Sequence, residues 1–346
     1  MKRLIPVFIF TFIVIASFWG ILNYAEQREA IKQQDSDIKI ETIHVFTDIQ
    51  TGILEEIGKS FYEENGIQVD VVHVTKEQLL SKEPVQGESA DVYLTSQQTL
   101  SALKEGKKLK AYSSENTDTI LNLFKDENAF WTGLWIDPVV FVVNQEYALK
   151  HPDFNYNWTD VMSDNTIRIS ITDFIASDMS EELLMTLAEH FGTTEAFYLL
   201  EQGQTHIVQY GKYLSTPARM ASMGKCDIGI SSYNEAKKIE NEKLPVFILY
   251  PTDGVPWYLY GIALSADSKY LDRGERFINW LLNPVRYKGI MKDKGYHYIY
   301  INDIGISPDI NGTKLKYWEL EKKYTDEGKK ILLNQWMDKI RFGRSS

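Results

Sequence analysis

The chain of 346 residues has one cysteine, Cys226, and six scattered histidines. A single cysteine excludes an internal disulfide framework and any cluster of thiolate metal ligands. It also excludes a lipid-modified cysteine near the N-terminus. Cys226 precedes a strand pattern in KCDIGI and is expected buried and inert. No G-x-S-x-G elbow, H-E-x-x-H pair or P-loop occurs, so no catalytic set is specified. Asp173 and Asp178 are spaced like no metal site. Basic excess is missing too: the net charge is −11, which argues against nucleic acid or anionic lipid as partner. No solenoid-period repeat and no low-complexity tract is present.

One run is long and apolar. Leu4 to Leu22 carries no charge and follows Lys2 and Arg3. About 20 apolar residues suffice for a membrane-spanning helix, and the basic flank favours the cytoplasmic side. No clean small-x-small cleavage site follows. The expectation is one N-terminal transmembrane helix (residues 1–24), a polar stalk (25–39) and an extracellular remainder. A cleaved signal peptide is the alternative.

Beyond Ile40 the patterns alternate between periods of about two and 3.6 residues. A strand is expected from Ile40 to Phe46. A helix with Ile53, Leu54, Ile57 and Phe61 on one face should stop at Gly66, and a strand should follow from Ile67 to Val74. ADVYLTS and QQTLSALKEG repeat the alternation. WTGLWIDPVVFVVNQ reads as two apolar runs broken at Asp137-Pro138. IRISITD, three helices that stop at Gly192, Gly203 and Gly224, and CDIGIS form a second α/β region. Asp178 with Glu181 and Ser232 with Glu235 have capping-box spacing, and Thr216-Pro217 fits an N-cap followed by proline. PVFILYPTDGVPWYLYGIALS holds two further strands, and Leu332, Trp336 and Ile340 form a stripe in the tail. The alternation predicts α/β with a parallel sheet covered by helices.

Ligands of open α/β sheets bind where strands end and helices begin. The loops at Thr47-Asp48-Ile49-Gln50-Thr51, Thr95-Ser96-Gln97, Trp135-Ile136-Asp137, Thr172-Asp173-Phe174, Ser215-Thr216 and Ser231-Ser232-Tyr233 are rich in hydroxyls and side-chain amides. Hydroxyls before helices are commonly caps. Six such loops in two α/β halves point further, to two half-sites across a cleft. Trp135, Tyr233 and Trp257 are the aromatics nearest these loops; each is a packing residue or a stacking surface. Helix N-termini favour an anion, and Arg219 would add to that. Asp48, Asp173 and Asp253 oppose it unless the solute also carries hydroxyls or an amine.

FTDIQTGILEEIGKSFYEENGIQVDVV, ADVYLTSQQTLSALKEGKKLKAY, FWTGLWIDPVVFVVNQE, NWTDVMS, MGKCDIGISSYNEAKK, YPTDGVPWYLYGIALS and RFINWLLNPVRYKGIMKDKGY run in order from Ile43 to Tyr296. Together they resemble the extracellular solute-binding proteins of ABC importers, in the group that binds ferric iron, thiamine, aminoethylphosphonate and phosphoglycerate. The resemblance implies a two-lobed, type II periplasmic-binding-protein-like fold with two crossover strands. Lobe 1 would hold residues 40–140, lobe 2 residues 141–250, and residues 251–346 the return to lobe 1 and C-terminal helices. Solute ligands implied by the family are Thr47, Asp48, Thr95, Ser96, Thr172, Asp173, Ser231 and Tyr233; Trp135, Asp137, Ser215 and Trp257 join them from the loop reading. No enzyme activity, cofactor or resident metal is implied. The partner would be an importer permease or, in some relatives, a membrane sensor kinase. Ferric-iron binders carry two adjacent tyrosines where Tyr233-Asn234 stands here, which argues against iron as solute.

Overall fold

The computed structural model describes residues 40–49, 52–81, 87–303, 315–321 and 324–343. Among these no helix is long and apolar enough to cross a membrane; the Leu4–Leu22 run and the stalk lie outside the described residues.

Two sheets carry the structure. In the first, β1 (Glu41–Thr47) lies parallel to β2 (Ile67–His73) and β3 (Val92–Ser96). β10 (Trp257–Ser265) runs antiparallel to β3 and to the two-residue β4 (Leu109–Lys110). In the second, β6 (Ile169–Thr172) lies parallel to β7 (Ile207–Gly211) and β8 (Ile228–Ser232). β5 (Thr132–Asn144) joins them: its first half pairs with β10, and its second half pairs with β8 and with β9 (Val246–Leu249). The chain returns between β9 and β10. Each sheet has its own apolar core, one built on Ile43, Phe61 and Trp257 (lobe 1) and one on Phe141, Trp158 and Trp336 (lobe 2).

β5 corrects the expected break at Asp137-Pro138. Proline has no N–H to give a ladder, yet the strand runs on through it. Pro138 stands opposite Trp257, the last pair with β10, and Val139 begins the pairing with β8. The missing donor falls where the strand changes sheets, so no ladder bond is lost.

The helix Ile53–Asn65 buries Ile53, Leu54, Ile57 and Phe61, as its periodicity requires, and Gly66 ends it at φ 69°. Each such side chain contributes about 1.5–3 kcal/mol by leaving water. Gly203 is not a helix stop: it lies inside the helix Thr193–Gln204, and a Cβ there would meet Met162 Cε at 2.2 Å. The helix ends one residue later, at Gln204. The helix Asp178–Phe191 is capped by a Ser177/Ser180 box, one residue earlier than the Asp178/Glu181 spacing suggested. Ser215, not Thr216, precedes the helix Thr216–Ser222, and its side chain caps nothing. The tail helix Asp326–Trp336 packs on lobe 2 through Leu332 and Trp336, with Ile340 in the following turn.

Candidate functional site

On lobe 1, β1 and β3 are neighbours and end at the same edge. Thr47 is fully buried, and its Oγ1 accepts the Ile49 N–H at 3.1 Å. Thr95 Oγ1 donates to Asp48 Oδ1 at 2.6 Å. Burial pushes the Asp48 carboxyl above its usual range; the Thr95 bond opposes that rise, and the Asp178 carboxylate adds to it. Ser96 accepts the Thr99 N–H at 3.3 Å and so serves as a cap for the helix Gln97–Glu105.

On lobe 2, Thr172 is buried at the end of β6. Asp173 accepts from Arg341 Nε at 3.0 Å, and the Arg341 guanidinium lies 4.3 Å from the Tyr210 ring centre. Ser231 Oγ donates to the Leu214 carbonyl at 3.1 Å, and Ser232 accepts the Glu235 N–H, so both hydroxyls are engaged locally. Ser215 is half-buried beside them. Tyr233 stacks on Tyr250 at 6.0 Å, and burial raises its phenol above the usual value. Arg219 is exposed and faces Glu242 at 3.8 Å. Asp253 accepts the Trp158 N–H at 3.1 Å.

Polar bonds cross between the lobes. Gln98, on the lobe 1 helix, donates from Nε2 to Glu182 Oε2 at 2.7 Å. Its Oε1 accepts from Lys329 Nζ at 2.5 Å. Glu182 is 3% exposed and Lys329 9%. Lys76 of lobe 1 faces Asp178 of lobe 2 at 3.7 Å. Glu181 stands in the same region, its carboxyl raised by burial against the pull of Lys329 and Lys76. Gln98, Glu182 and Lys329 were not singled out in the sequence: they sit in ordinary amphipathic helices, and only the docking of one lobe on the other brings them together.

At the hinge, Asp137 Oδ1 accepts the Asn234 N–H at 3.0 Å, and Asn234 Oδ1 accepts the His297 N–H at 2.8 Å. Asp137 is 4% exposed, and burial pushes its carboxyl up to about 7. Asn234 is thus turned to the hinge. Tyr260 of β10 lies beside this hinge; burial raises its phenol, and the nearby Asp137, Asp48, Asp178 and Glu182 carboxylates raise it further. Trp135 stacks on Tyr298 at 5.9 Å, and Trp257 Nε1 donates to the Trp318 carbonyl at 2.9 Å. Both tryptophans are 2% exposed, which puts them in the lobe 1 core rather than on the cleft surface. Asp173 and Asp178 are held by different cations, Arg341 and Lys76, and do not form one group. Cys226 is fully buried, its thiol pushed up to about 12 by burial, which makes it unreactive.

The sheet order, the shared strand β5 and the polar contacts that cross from Gln98 and Lys76 to the second lobe define a two-lobed α/β protein. The profile of the family described as bacterial extracellular solute-binding protein matches residues 43–297, and the chain belongs to that family. Solved structures agree on the fold. The periplasmic binding protein AfuA from Actinobacillus pleuropneumoniae, with exogenous fructose-6-phosphate bound, is 22% identical; 87% of this chain and 99% of that one superpose with a TM-score of 0.67. The ferric binding protein from Campylobacter jejuni is 20% identical, covering 86% and 98%, with a TM-score of 0.70. An uncharacterized protein of Haemophilus influenzae is 22% identical over 248 residues, 68% of this chain and 71% of that protein.

Proposed function

We propose that this chain captures a small polar solute between its lobes and hands it to an ABC importer, without covalent chemistry. The observation that carries this reading is two α/β lobes that share β5 and are tied by Gln98, with Asp48 bonded to Thr95 at the strand ends of one lobe and Asp178 at a helix start of the other lobe near enough to raise the Asp48 carboxyl. A hinge with a cleft on one side converts solute binding into lobe closure. The uncharged Leu4–Leu22 run would tether the protein to the outer face of the membrane; release from the membrane by high salt alone would contradict that.

The solute's charge follows from what the helix starts leave over. The Tyr233–Asn241 helix start already holds Asp137 and Ser232, and the Gln97 and Asp178 helices hold Ser96 and Ser177. The Ile53–Asn65 helix begins at Gly52, with no side-chain cap, and its amides suit an anionic group. Asp48, Asp178 and Glu181 suit hydroxyls or an amine. A solute with an anionic group and several hydroxyls or an ammonium, such as a sugar phosphate or an aminophosphonate, satisfies both sets. Ferric iron does not: Tyr233 has no adjacent tyrosine, and burial favours its neutral phenol.

Calorimetric titration of the full chain with phosphorylated sugars, phosphonates, polyamines, neutral sugars and ferric citrate tests the reading. Binding of a hydroxylated phosphate or an aminophosphonate is expected, weakened by both Thr95→Val and Asp173→Asn. Binding of polyamines alone, a tyrosinate–iron absorption band lost in Tyr233→Phe, or turnover of any compound would overturn it.

A further inference from the structure

A second cluster lies on lobe 1, away from the cleft. His44 on β1 and Asp70 on β2 are Cα partners in the parallel ladder, so their side chains leave the same face of the sheet. Glu88 reaches the same point from the turn before β3. His44 Nε2 stands 3.8 Å from Asp70 Oδ2 and 3.7 Å from Glu88 Oε2. All three ligand atoms lie within 4.8 Å of one another.

The imidazole is aimed. Asp91, 3% exposed, is fixed by the His44 N–H at 2.9 Å and by the Ser268 hydroxyl at 2.6 Å. Its Oδ2 lies 3.5 Å from His44 Nδ1. A carboxylate beside Nδ1 favours the proton there and leaves the Nε2 lone pair facing Asp70 and Glu88, the arrangement in which metal-bound histidines are oriented. The charge is unbalanced as well. Among the described residues, no Lys or Arg makes an ion pair with Asp70, Glu88 or Asp91, so three carboxylates surround one imidazole.

We infer that His44, Asp70 and Glu88 bind a divalent transition cation of the zinc type, with water completing the coordination. Bonds of about 2.0–2.2 Å in a tetrahedral site place ligand atoms about 3.3–3.6 Å apart, so the two separations from His44 Nε2 need to shrink by only a few tenths of an ångström, while the two exposed carboxylates close on each other. Asp70 and Glu88 are half-exposed and free to move that far. One nitrogen with two oxygens suits zinc and its neighbours better than calcium, which takes six to eight oxygens. The cation would tie β1, β2 and the turn before β3 together. Because His44 is about 10 Å along β1 from Thr47, this site is independent of the solute reading, and either can fail alone.

The test uses the full chain without an affinity tag, treated with EDTA and then titrated with zinc chloride and, separately, calcium chloride, followed by calorimetry and melting. One Zn2+ per chain is expected, with an affinity that falls about tenfold or more in His44→Gln and in Asp70→Asn. His73→Gln, a change at a histidine outside the cluster, should leave it intact, and calcium should give no shift. Retained zinc affinity in His44→Gln, loss of binding in His73→Gln, equal binding of calcium, or no binding by the wild type would each overturn the inference. Should His44→Gln not fold in EDTA, Glu88→Gln at the exposed position gives the same decision.

Discussion

The two lobes build their cleft faces differently. In lobe 1, Asp48 and Thr95 come from adjacent parallel strands and bond to each other. In lobe 2, Asp173 is held by Arg341, 168 residues away, and Lys329 from the same C-terminal segment reaches across to Gln98. Lobe 1 is thus self-sufficient at the cleft, whereas lobe 2 borrows its cations from a tail that lies past the family-matched region, which ends at residue 297. An α/β unit places its strand-end residues by its own hydrogen-bonded ladder. A cation that must meet a carboxylate on another element depends on how that element docks, here through Trp336, whose ring lies 5.0 Å from Phe174.

The sharpest way to break this contrast is Trp336→Ala. Trp336 is fully buried, and removing such a ring costs about 3–5 kcal/mol. Lobe 2 should unfold earlier in denaturant while lobe 1, probed by Phe61→Ala, keeps its own transition. A single transition shifted equally by both variants would show that the lobes stand or fall together.

The next effect belongs to the strand that both lobes share. Asp137 has its carboxyl raised from 3.8 to about 7 by burial. The folded state therefore holds this proton more tightly than the unfolded chain. Stability from this group is full below the unfolded value and is lost as pH rises through about 7. The span corresponds to something on the order of 4 kcal/mol. Asp137→Asn keeps an acceptor for the Asn234 N–H and removes the titration, so melting between pH 4 and 7 should depend less on pH than in the wild type. Identical slopes would contradict the burial argument.

A smaller effect is expected at the tie between lobes. Gln98→Ala removes the bonds to Glu182 and Lys329, worth about 1–2 kcal/mol in total. Solution scattering should show a larger radius of gyration for the solute-free variant, and closure should cost correspondingly more affinity. An unchanged radius would mean that the lobes meet through other contacts, and the contrast between them would lose its link to closure.

Local pattern determined a good deal of this protein. The faces of the helices, the stop at Gly66, the strands that became β1, β2, β6 and β8, and the family resemblance were legible because apolar periodicity and turn chemistry are properties of a few neighbouring residues. The same reasoning located hydroxyls and carboxylates at strand ends, but it could not tell which were already engaged. Ser96 and Ser232 are caps, Ser231 bonds to a carbonyl, and Asp137 holds the hinge rather than a cleft surface. Tertiary structure alone decided that Pro138 continues a strand because the strand changes sheets there, and that Trp135 and Trp257 are buried. It also decided that Gln98, Glu182 and Lys329 meet between the lobes and that Arg341 reaches Asp173. The physical reason is range: burial and charge pairing depend on which distant segments dock together, and no spacing within a single segment records that.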